Sequence, residues 1–138
     1  MKPTESASPR YRLVVADDHA GFLEEVCRLL AADFEVVAAV KDGVAVIHAV
    51  STLRPDAVVC DISMPGLDGI ESGARILRQG LCNAVVVLTM HSASHMVEKA
   101  LQQGIRGYIL KVDAGEELVP AVHTVVRGGQ YLSQGVAH

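Results

Sequence analysis

The stretch DAVVCD at 56–61 is followed by ISMPGLDG at 62–69 and IESGARILR at 70–78, and the fold prediction depends on this series. The first part is short, apolar and rich in Val, which is typical of a parallel β-strand covered on both faces. Pro65 and Gly66 then predict a turn. The third part predicts a helix that ends before Gly80, because glycine commonly follows a helix C-terminus. The series therefore predicts a buried strand, a loop and a helix.

The same alternation extends over the rest of the chain in both directions. Four more short apolar runs predict strands: RLVVA at 12–16, FEVVAAV at 34–40, AVVVLT at 84–89 and GYILK at 107–111. Segments of helical period lie between and after them, at 20–32, 44–53, 94–103 and from Asp113 to the Gly128-Gly129 pair. Five strands and five helices in strict alternation predict an α/β fold, a parallel sheet with helices on both faces.

Local signals in two of the predicted helices indicate which residues face the core and where a helix begins. In the first helix, the apolar residues at 22, 26, 29 and 30 form the stripe expected on the core-facing side. Leu23 and Cys27 lie beside this stripe, where they either widen it or face outward as a partner surface. In the last helix, Asp113 and Glu116 have the spacing of a capping box.

Size and composition limit the classes of protein to which the chain can belong. Its 138 residues, half of them apolar, suit one domain with a full core. The formal charge of −4 argues against nucleic-acid binding by the domain itself. No segment resembles a signal peptide or the ~20 apolar residues of a membrane span, so we expect a cytoplasmic protein without membrane contact. Cys27, Cys60 and Cys82 lack metal or redox spacing and are predicted to be buried free thiols.

Chemically active side chains follow four of the five predicted strands. In an open parallel sheet, ligands bind beyond the carboxyl ends of the strands, where these side chains would meet. The residues at these ends are Asp17 and Asp18 after the first strand, Asp61 after the third, Thr89 at the end of the fourth and Lys111 at the end of the fifth. Each has an ordinary alternative, such as helix capping by the adjacent acids or a solvated lysine at a strand end. Their joint placement predicts a single site.

The chemistry of this predicted site suits phosphoryl transfer. Clustered carboxylates repel one another and favour a bound cation, and oxygen ligands suit Mg²⁺ better than softer metals. Asp61 would act as the nucleophile, Lys111 would neutralise a phosphoryl oxygen, and Thr89 would donate a hydrogen bond. A carboxylate nucleophile needs no general base, because phosphoryl transfer depends mainly on positioning and charge neutralisation.

Four motifs resemble those of the receiver domains of two-component response regulators. They are VVADDH at 14–19, VVCDISMPGLDGIE at 58–71, VVVLTMH at 85–91 and GYILK at 107–111, and the resemblance extends from about residue 11 to 133. The LTMH, GYILK and GGQYLS stretches are most similar to the subfamily that carries a C-terminal LuxR-type helix-turn-helix domain. The resemblance implies a flavodoxin-like three-layer fold with five parallel strands in the order 2-1-3-4-5.

The resemblance also implies a role for each residue of the site. Asp61 corresponds to the phosphoacceptor, while Thr89 and Lys111 correspond to groups that hold the phosphoryl oxygens, helped by backbone N–H groups near Ile62 and Met90. The Mg²⁺ ligands implied are Asp61, Asp18 directly, Asp17 largely through water, and the carbonyl of Ser63. Tyr108 corresponds to the aromatic residue that turns inward when the threonine moves, and the alternative is a partly buried strand tyrosine.

Two positions depart from the family pattern. Many members have proline after the strand-five lysine, with a cis peptide before it, whereas Val112 follows Lys111 here. The position after Thr89 is often small, whereas Met90 occupies it here, and its bulk is expected to hinder attacking water and prolong the phosphorylated state. His91 and His95 are interpreted as solvated surface residues, and no partner is assigned to His19.

The resemblance implies a switch rather than a metabolic enzyme, one that catalyses only its own phosphorylation and dephosphorylation. A sensor histidine kinase would be the phosphoryl donor, homodimerisation would follow, and DNA would be contacted only through a missing C-terminal helix-turn-helix domain. We expect a flexible tail at 1–10, a receiver domain at 11–130 and the start of a linker at 131–138, where Ser133 would cap a further helix. The alternatives are a stand-alone receiver, a haloacid-dehalogenase-like phosphatase and, more remotely, a flavodoxin-like cofactor binder.

Overall fold

Strands and helices alternate throughout the computed structural model, which describes residues 10–90 and 93–136. The strands are β1 (Arg12–Ala16), β2 (Glu35–Val40), β3 (Ala57–Asp61), β4 (Val85–Thr89), β5 (Gly107–Leu110) and β6 (Tyr131–Leu132). The helices are α1 (Ala20–Leu30), α2 (Gly43–Leu53), α3 (Gly69–Arg78), α4 (Ser94–Gln102) and α5 (Ala114–Val126), and a 3₁₀ turn covers Lys111–Asp113. The five predicted strands and five predicted helices are confirmed. The short β6 was not predicted.

The strands form one parallel sheet in the order β2-β1-β3-β4-β5-β6. The predicted order 2-1-3-4-5 is confirmed, and β6 extends the β5 edge. Ala16 pairs with Cys60, Asp61 with Leu88, and Thr89 with Leu110. This register brings the carboxyl ends of β1, β3, β4 and β5 to one edge of the sheet. The strand order reverses between β1 and β3, so this edge contains the crevice in which such sheets bind ligands.

The four inner strands are buried along almost their whole length, which explains their continuous apolar sequences. In β3 and β4 every residue is buried, because helices cover both faces of the sheet. The edge strand β2 is only partly buried. Cys60 and Cys82 are buried free thiols, as predicted, whereas Cys27 is only half-buried. Burial raises the pKa of Cys60 to about 12, with smaller contributions from neighbouring carboxylates, so this thiol is inert at neutral pH.

Helix α1 presents a broad apolar face to the core. Leu23 is 7% exposed and packs with Val26 and Leu30 in the core cluster on that side of the sheet. Cys27 is half-buried against the same cluster. The interpretation of Leu23 as an outward-facing partner residue is therefore wrong. Leu23 and Cys27 therefore widen the apolar face that α1 buries.

The loop between β3 and α3 is shaped by two glycines. Gly66 has a φ of +78°, a left-handed conformation that glycine adopts without strain. At Gly69 a side chain would collide with the carbonyl oxygen of Asp61. The close approach lets α3 begin directly beside the end of β3, with Asp68 capping it by accepting a hydrogen bond from Glu71 N–H at 2.8 Å. The turn predicted at Gly66 is confirmed.

The segment after α5 folds back onto the sheet. Ser133 is fully buried, and its hydroxyl accepts a hydrogen bond from Leu110 N–H at 3.0 Å. Two acidic side chains hold the following turn: Glu117 accepts from Tyr131 Oη at 2.9 Å, and Asp113 accepts from Gly135 N–H at 3.2 Å.

Two helix-capping predictions for this region are wrong. Ser133 caps no helix within the described residues, and residues 131–136, which are expected to begin a linker, form β6 and the turn after it. Asp113 forms no capping box, because it lies in the 3₁₀ turn and its carboxylate is engaged with the turn after β6.

Among the described residues every peptide bond is trans, including the bond between Lys111 and Val112. None of the helices in these residues has both the length and the apolar character needed to cross a bilayer.

The contact between Ser133 and Leu110 yields a stability prediction. Ser133→Ala leaves the buried Leu110 N–H without its acceptor, so we expect the free energy of unfolding to fall by about 1–3 kcal/mol. Ser51→Ala, on the exposed face of α2, is the matched control and should leave stability almost unchanged. Urea unfolding followed by circular dichroism measures both. Equal stability of the two variants would show that the hydrogen bond between Ser133 and Leu110 contributes nothing to stability.

Candidate functional site

Three carboxylates meet where the strand order reverses. Oxygen atoms of Asp17, Asp18 and Asp61 all lie within 4.8 Å of one another. Asp17 is 1% exposed and Asp61 is 3% exposed, whereas Asp18 is exposed. Asp17 and Asp18 directly follow β1, and Asp61 ends the adjacent strand β3, so the sheet itself brings them together.

Lys111 supplies the positive charge of the site. Its ammonium lies 3.0 Å from Asp17 Oδ2 and 3.3 Å from Asp61 Oδ2. The other oxygen of Asp61, Oδ1, accepts a hydrogen bond from Ser63 N–H at 3.3 Å. Lys111 lies in the 3₁₀ turn directly after β5, two strands away from β3, so its long side chain crosses the end of β4 to reach the acids.

The electrostatics of the site leave a deficit of positive charge. Burial raises the pKa of Asp61 and the charge of Asp17 raises it further, while Lys111 and the Ser63 N–H compensate only in part. Burial lowers the pKa of Lys111, but the ion pairs with Asp17 and Asp61 outweigh burial and hold this pKa above its ordinary value. Lysine therefore stays protonated, and the two buried carboxylates share one cation.

The donor set fits a hard divalent cation. Asp17 Oδ2 is sealed from solvent and accepts no well-oriented hydrogen bond from the described residues, although the Lys111 ammonium lies 3.0 Å away. A buried carboxylate oxygen with spare accepting capacity, beside two further carboxylates, is what Mg²⁺ requires of its protein ligands. The predicted acidic cluster is therefore present as a geometry that can hold such an ion.

An open cleft of about 570 Å³ gives access to this cluster. Its lining combines acidic and apolar side chains: Asp18, His19, Phe22, Asp61, Ser63, Met90, Lys111 and Val112. Met90 is 74% exposed and Val112 is 86% exposed, so both project from the rim instead of packing in the core. The cleft therefore presents the Asp61 carboxylate inside a partly apolar rim.

Thr89 and Tyr108 are buried at the next two strands and do not line the cleft. Thr89 is 1% exposed and Tyr108 is fully buried, and the two side chains share a hydrogen bond. Burial raises the pKa of the Tyr108 hydroxyl, and the bond with Thr89 opposes this rise. Tyr108 is therefore turned inward in this structure, where its ring also belongs to a core cluster.

The N-terminus of α1 contains contacts that the sequence analysis missed. His19, and neither of the adjacent acids, is the N-cap: its Nδ1 accepts from Phe22 N–H at 3.3 Å, while its own N–H donates to Asp17 Oδ1 at 2.8 Å. Phe22, predicted only as a core residue, places its ring centroid 4.5 Å from the Lys111 ammonium. A usable signal exists, because side chains in the first turn of a helix point back toward its N-terminus and hence toward these acids.

His91 and His95 are the two histidines interpreted from the sequence as solvated surface residues. His95 is exposed on α4, as predicted. His91 lies outside the described residues.

The fold and site together define an α/β domain of the receiver type, with carboxylates and a lysine at the carboxyl edge of a parallel sheet. The sequence profile of the response regulator receiver domain matches residues 13–123. The chain belongs to this family, and the predicted resemblance is confirmed.

Relatives and solved structures narrow the classification. The chain is 35% identical over 131 residues to the transcriptional regulatory protein DegU of Brevibacillus brevis, covering 94% of this chain and 56% of that protein. The chain thus spans little more than half the length of this relative. A LuxR-family two-component response regulator from Aurantimonas superposes with a TM-score of 0.84 at 29% identity, with 91% of each chain covered. The receiver domain of RcsB from Salmonella enterica, determined with the phosphomimetic BeF₃⁻, superposes at 0.83 with 27% identity, covering 92% of this chain and 96% of that one. The similarity to the LuxR subfamily is also confirmed.

The pKa shift of Asp61 yields a prediction for the metal-free protein. Because burial raises the pKa of Asp61 in the folded state, the folded protein keeps this proton to higher pH than the unfolded chain. The charge therefore costs stability above the folded pKa and nothing below the unfolded pKa. We expect Asp61→Asn to raise the melting temperature at pH 7 by a few degrees (about 1 kcal/mol), and we expect the gain to disappear on acidification through this window.

Calorimetry in EDTA at a series of pH values tests this expectation. Glu98→Gln, which removes one exposed negative charge on α4, controls for the change in net charge and should show no such pH dependence. A melting temperature of Asp61→Asn at or below that of the wild type at pH 7 would contradict the raised pKa.

Proposed function

We propose that this domain is a phosphorylation-dependent switch that accepts a phosphoryl group on Asp61 from a sensor histidine kinase. The observation that carries the proposal is a carboxylate at the floor of an open cleft, 3.3 Å from a lysine ammonium and clustered with two further acids. A protein that only bound a cation would not need the lysine, which competes with the metal for the same oxygens. A phosphoryl group needs both charges.

The proposed transfer follows from these contacts. An oxygen of Asp61 attacks the phosphorus of a phosphohistidine, a P–O bond forms, the P–N bond breaks, and the bonding electrons remain on the departing imidazole nitrogen. Lys111 moves from its carboxylate partners to a phosphoryl oxygen, which its four-carbon stem permits. The Ser63 N–H, already donating to Asp61, fixes the carboxylate for attack. The reaction needs no general base, because the nucleophile is already an anion. In this proposal the phosphoryl acceptor is part of the domain, so the domain catalyses only its own phosphorylation and dephosphorylation.

Asp17, Asp18, Asp61 and the Ser63 carbonyl are the groups that would hold Mg²⁺. When bound, this ion supplies the charge neutralisation that lets a phosphoryl group approach three carboxylates. The buried Asp17 oxygen with spare accepting capacity supports this assignment. The position of the nucleophile argues against a haloacid-dehalogenase-like phosphatase. In such an enzyme the nucleophilic Asp would lie at the end of the first strand, whereas Asp61 lies at the end of β3.

The proposed output runs through Thr89 and Tyr108. A new dianion on Asp61 attracts the Thr89 hydroxyl, and this movement disturbs the hydrogen bond that Thr89 shares with Tyr108. Coupling of about 1–3 kcal/mol between such sites changes a partner's affinity roughly five- to 150-fold. The surface of α4, β5 and α5 would then favour homodimerisation. Tyr108 is already inward in this structure, and its hydrogen bond with Thr89 supports its role as the side chain that responds to movement of Thr89.

The final effect that we propose is regulation of transcription in the cytoplasm. The names of the relatives, a transcriptional regulatory protein and a LuxR-family regulator, support a DNA-binding domain of the helix-turn-helix type in the longer protein. The domain described here would contact DNA only through that additional domain. A receiver that acts alone is the alternative.

Intact mass after incubation with acetyl phosphate and Mg²⁺ tests the proposal. We expect one added phosphoryl group on the wild type, none on Asp61→Ala, and a much smaller fraction modified in EDTA. Glu98→Gln, an acidic substitution away from the site, is the matched control and should be modified like the wild type. Absence of the adduct, even with rapid quenching and a kinase as donor, would contradict the phosphoacceptor function.

The exposed thioether of Met90 leads to a second functional prediction. Because Met90 lines the cleft and is 74% exposed, we expect its side chain to obstruct water that attacks the phosphorylated Asp61. Met90→Ala should accelerate loss of the phosphoryl group by up to about tenfold, equivalent to roughly 1.4 kcal/mol in the barrier. Met90→Leu preserves the bulk and should retain the wild-type rate. Time courses of intact mass after removal of the donor give both rates, and an unchanged rate in Met90→Ala would refute the shielding role.

A further inference from the structure

Four residues at the edge of the site form a closed series of contacts. Asp17 Oδ1 accepts from His19 N–H at 2.8 Å, and His19 Nδ1 accepts from Phe22 N–H at 3.3 Å. The Phe22 ring centroid lies 4.5 Å from the Lys111 ammonium, and this ammonium lies 3.0 Å from Asp17 Oδ2. The series links the end of β1, the first turn of α1 and the residue after β5, and it returns to the carboxylate from which it started.

Core packing alone does not account for Phe22. Its ring is half-buried and packs partly against the core cluster on the α1 side of the sheet, but it also lines the cleft beside Asp61. The buried members of α1 are Leu23, Val26 and Leu30, which already cover the sheet. Phe22 lies at the N-terminal end of this face, where its side chain points back toward the acids.

An aromatic face at this place affects the lysine in two ways. The ring quadrupole attracts the ammonium, an interaction that grows stronger as water is removed. The ring also contacts the same ammonium that pairs with Asp17 and Asp61, and so limits the positions that this ammonium can adopt. A lysine side chain is otherwise flexible, and it loses much conformational freedom when held in one place.

We propose that Phe22 is a positioning residue that holds the Lys111 ammonium over Asp61 for phosphoryl transfer. This inference rests on the proposed phosphoacceptor function. His19 sets the position of the ring by capping α1, and Asp17 sets the position of His19, so the acid that pairs with the lysine also positions the ring that holds it. Phe22 itself touches neither the phosphoryl donor nor the acceptor oxygen in this assignment.

The contact can be measured without any phosphorylation. The ring current of Phe22 should shift the resonances of the Lys111 ε-methylene protons upfield in the NMR spectrum of the metal-free wild type. Phe22→Leu should return them to their ordinary position, whereas Phe22→Tyr should retain the shift. Ordinary Lys111 resonances in the folded wild type would overturn the inference.

The functional test compares rates of phosphorylation by acetyl phosphate with Mg²⁺ over a range of donor concentrations. Phe22→Leu should lower the maximal rate about two- to fivefold, the range that corresponds to an exposed cation–π contact, with a smaller change in the half-saturating donor concentration. Phe22→Tyr should restore the wild-type rate. Cys27→Ala, a half-buried change on the same helix but away from the cleft, controls for weakened packing of α1 and should leave the rate unchanged.

The outcomes separate the two proposals. If the wild type accepts a phosphoryl group and Phe22→Leu matches it in rate, the positioning role is overturned while the acceptor function stands. If Phe22→Leu and Cys27→Ala slow the reaction equally, the effect is one of helix packing and the inference is likewise overturned. If the wild type accepts no phosphoryl group, the proposed function is overturned together with the catalytic part of this inference, and the NMR comparison alone decides whether Phe22 holds the lysine.

Discussion

The rest of this structure depends on one unfavourable arrangement, the burial of Asp17 and Asp61 side by side. Two carboxylates removed from water repel each other and lose hydration, and the raised pKa of Asp61 reflects this cost. Lys111 offsets part of it from the far side of β4. The compensation remains incomplete, since one ammonium serves two acids. The protein thereby retains a preference for additional positive charge at the place where phosphoryl transfer is proposed.

Several elements of the fold are arranged around this charge cluster. The parallel sheet reverses its order between β1 and β3, so the two acids project from adjacent strands without any loop having to close over them. Gly69 allows α3 to start directly behind Asp61, because any side chain there would strike the Asp61 carbonyl oxygen. His19 caps α1 while donating its N–H to Asp17, which ties the start of that helix to the cluster.

The other side of the same edge connects the cluster to the end of the described chain. The residue before Lys111, Leu110, donates its N–H to the buried Ser133 hydroxyl, and Asp113 of the following turn accepts from Gly135. Two residues close to Lys111 in the chain are therefore hydrogen-bonded to the segment after α5. Thr89 and Tyr108 provide a second connection within the sheet. Both sets of contacts lie on β4, β5 and the segments directly after them, so the β5 side of the sheet is in contact with the site.

The sequence by itself determined the five longer strands, the five helices and the chemical identity of the site. Inner parallel strands are apolar at every position, and the carboxyl ends of such strands share one edge, so the sequence predicts that the runs ending at Asp17, Asp61 and Lys111 meet there. Thr89 also ends such a run, but the tertiary structure buries it against Tyr108, outside the cleft. Only the tertiary structure decided the roles of residues whose partners are distant in the chain. The sequence pattern assigns Phe22 to a core stripe, whereas the tertiary structure places its ring against the ammonium of Lys111, which is 89 positions away in the chain. Asp113 has the spacing of a capping box and Ser133 resembles an N-cap. In the folded protein, however, Asp113 accepts a hydrogen bond from Gly135 N–H and Ser133 accepts one from Leu110 N–H. Periodicity describes which face of an element is apolar, whereas the choice among competing hydrogen-bond partners is made only when separate elements pack.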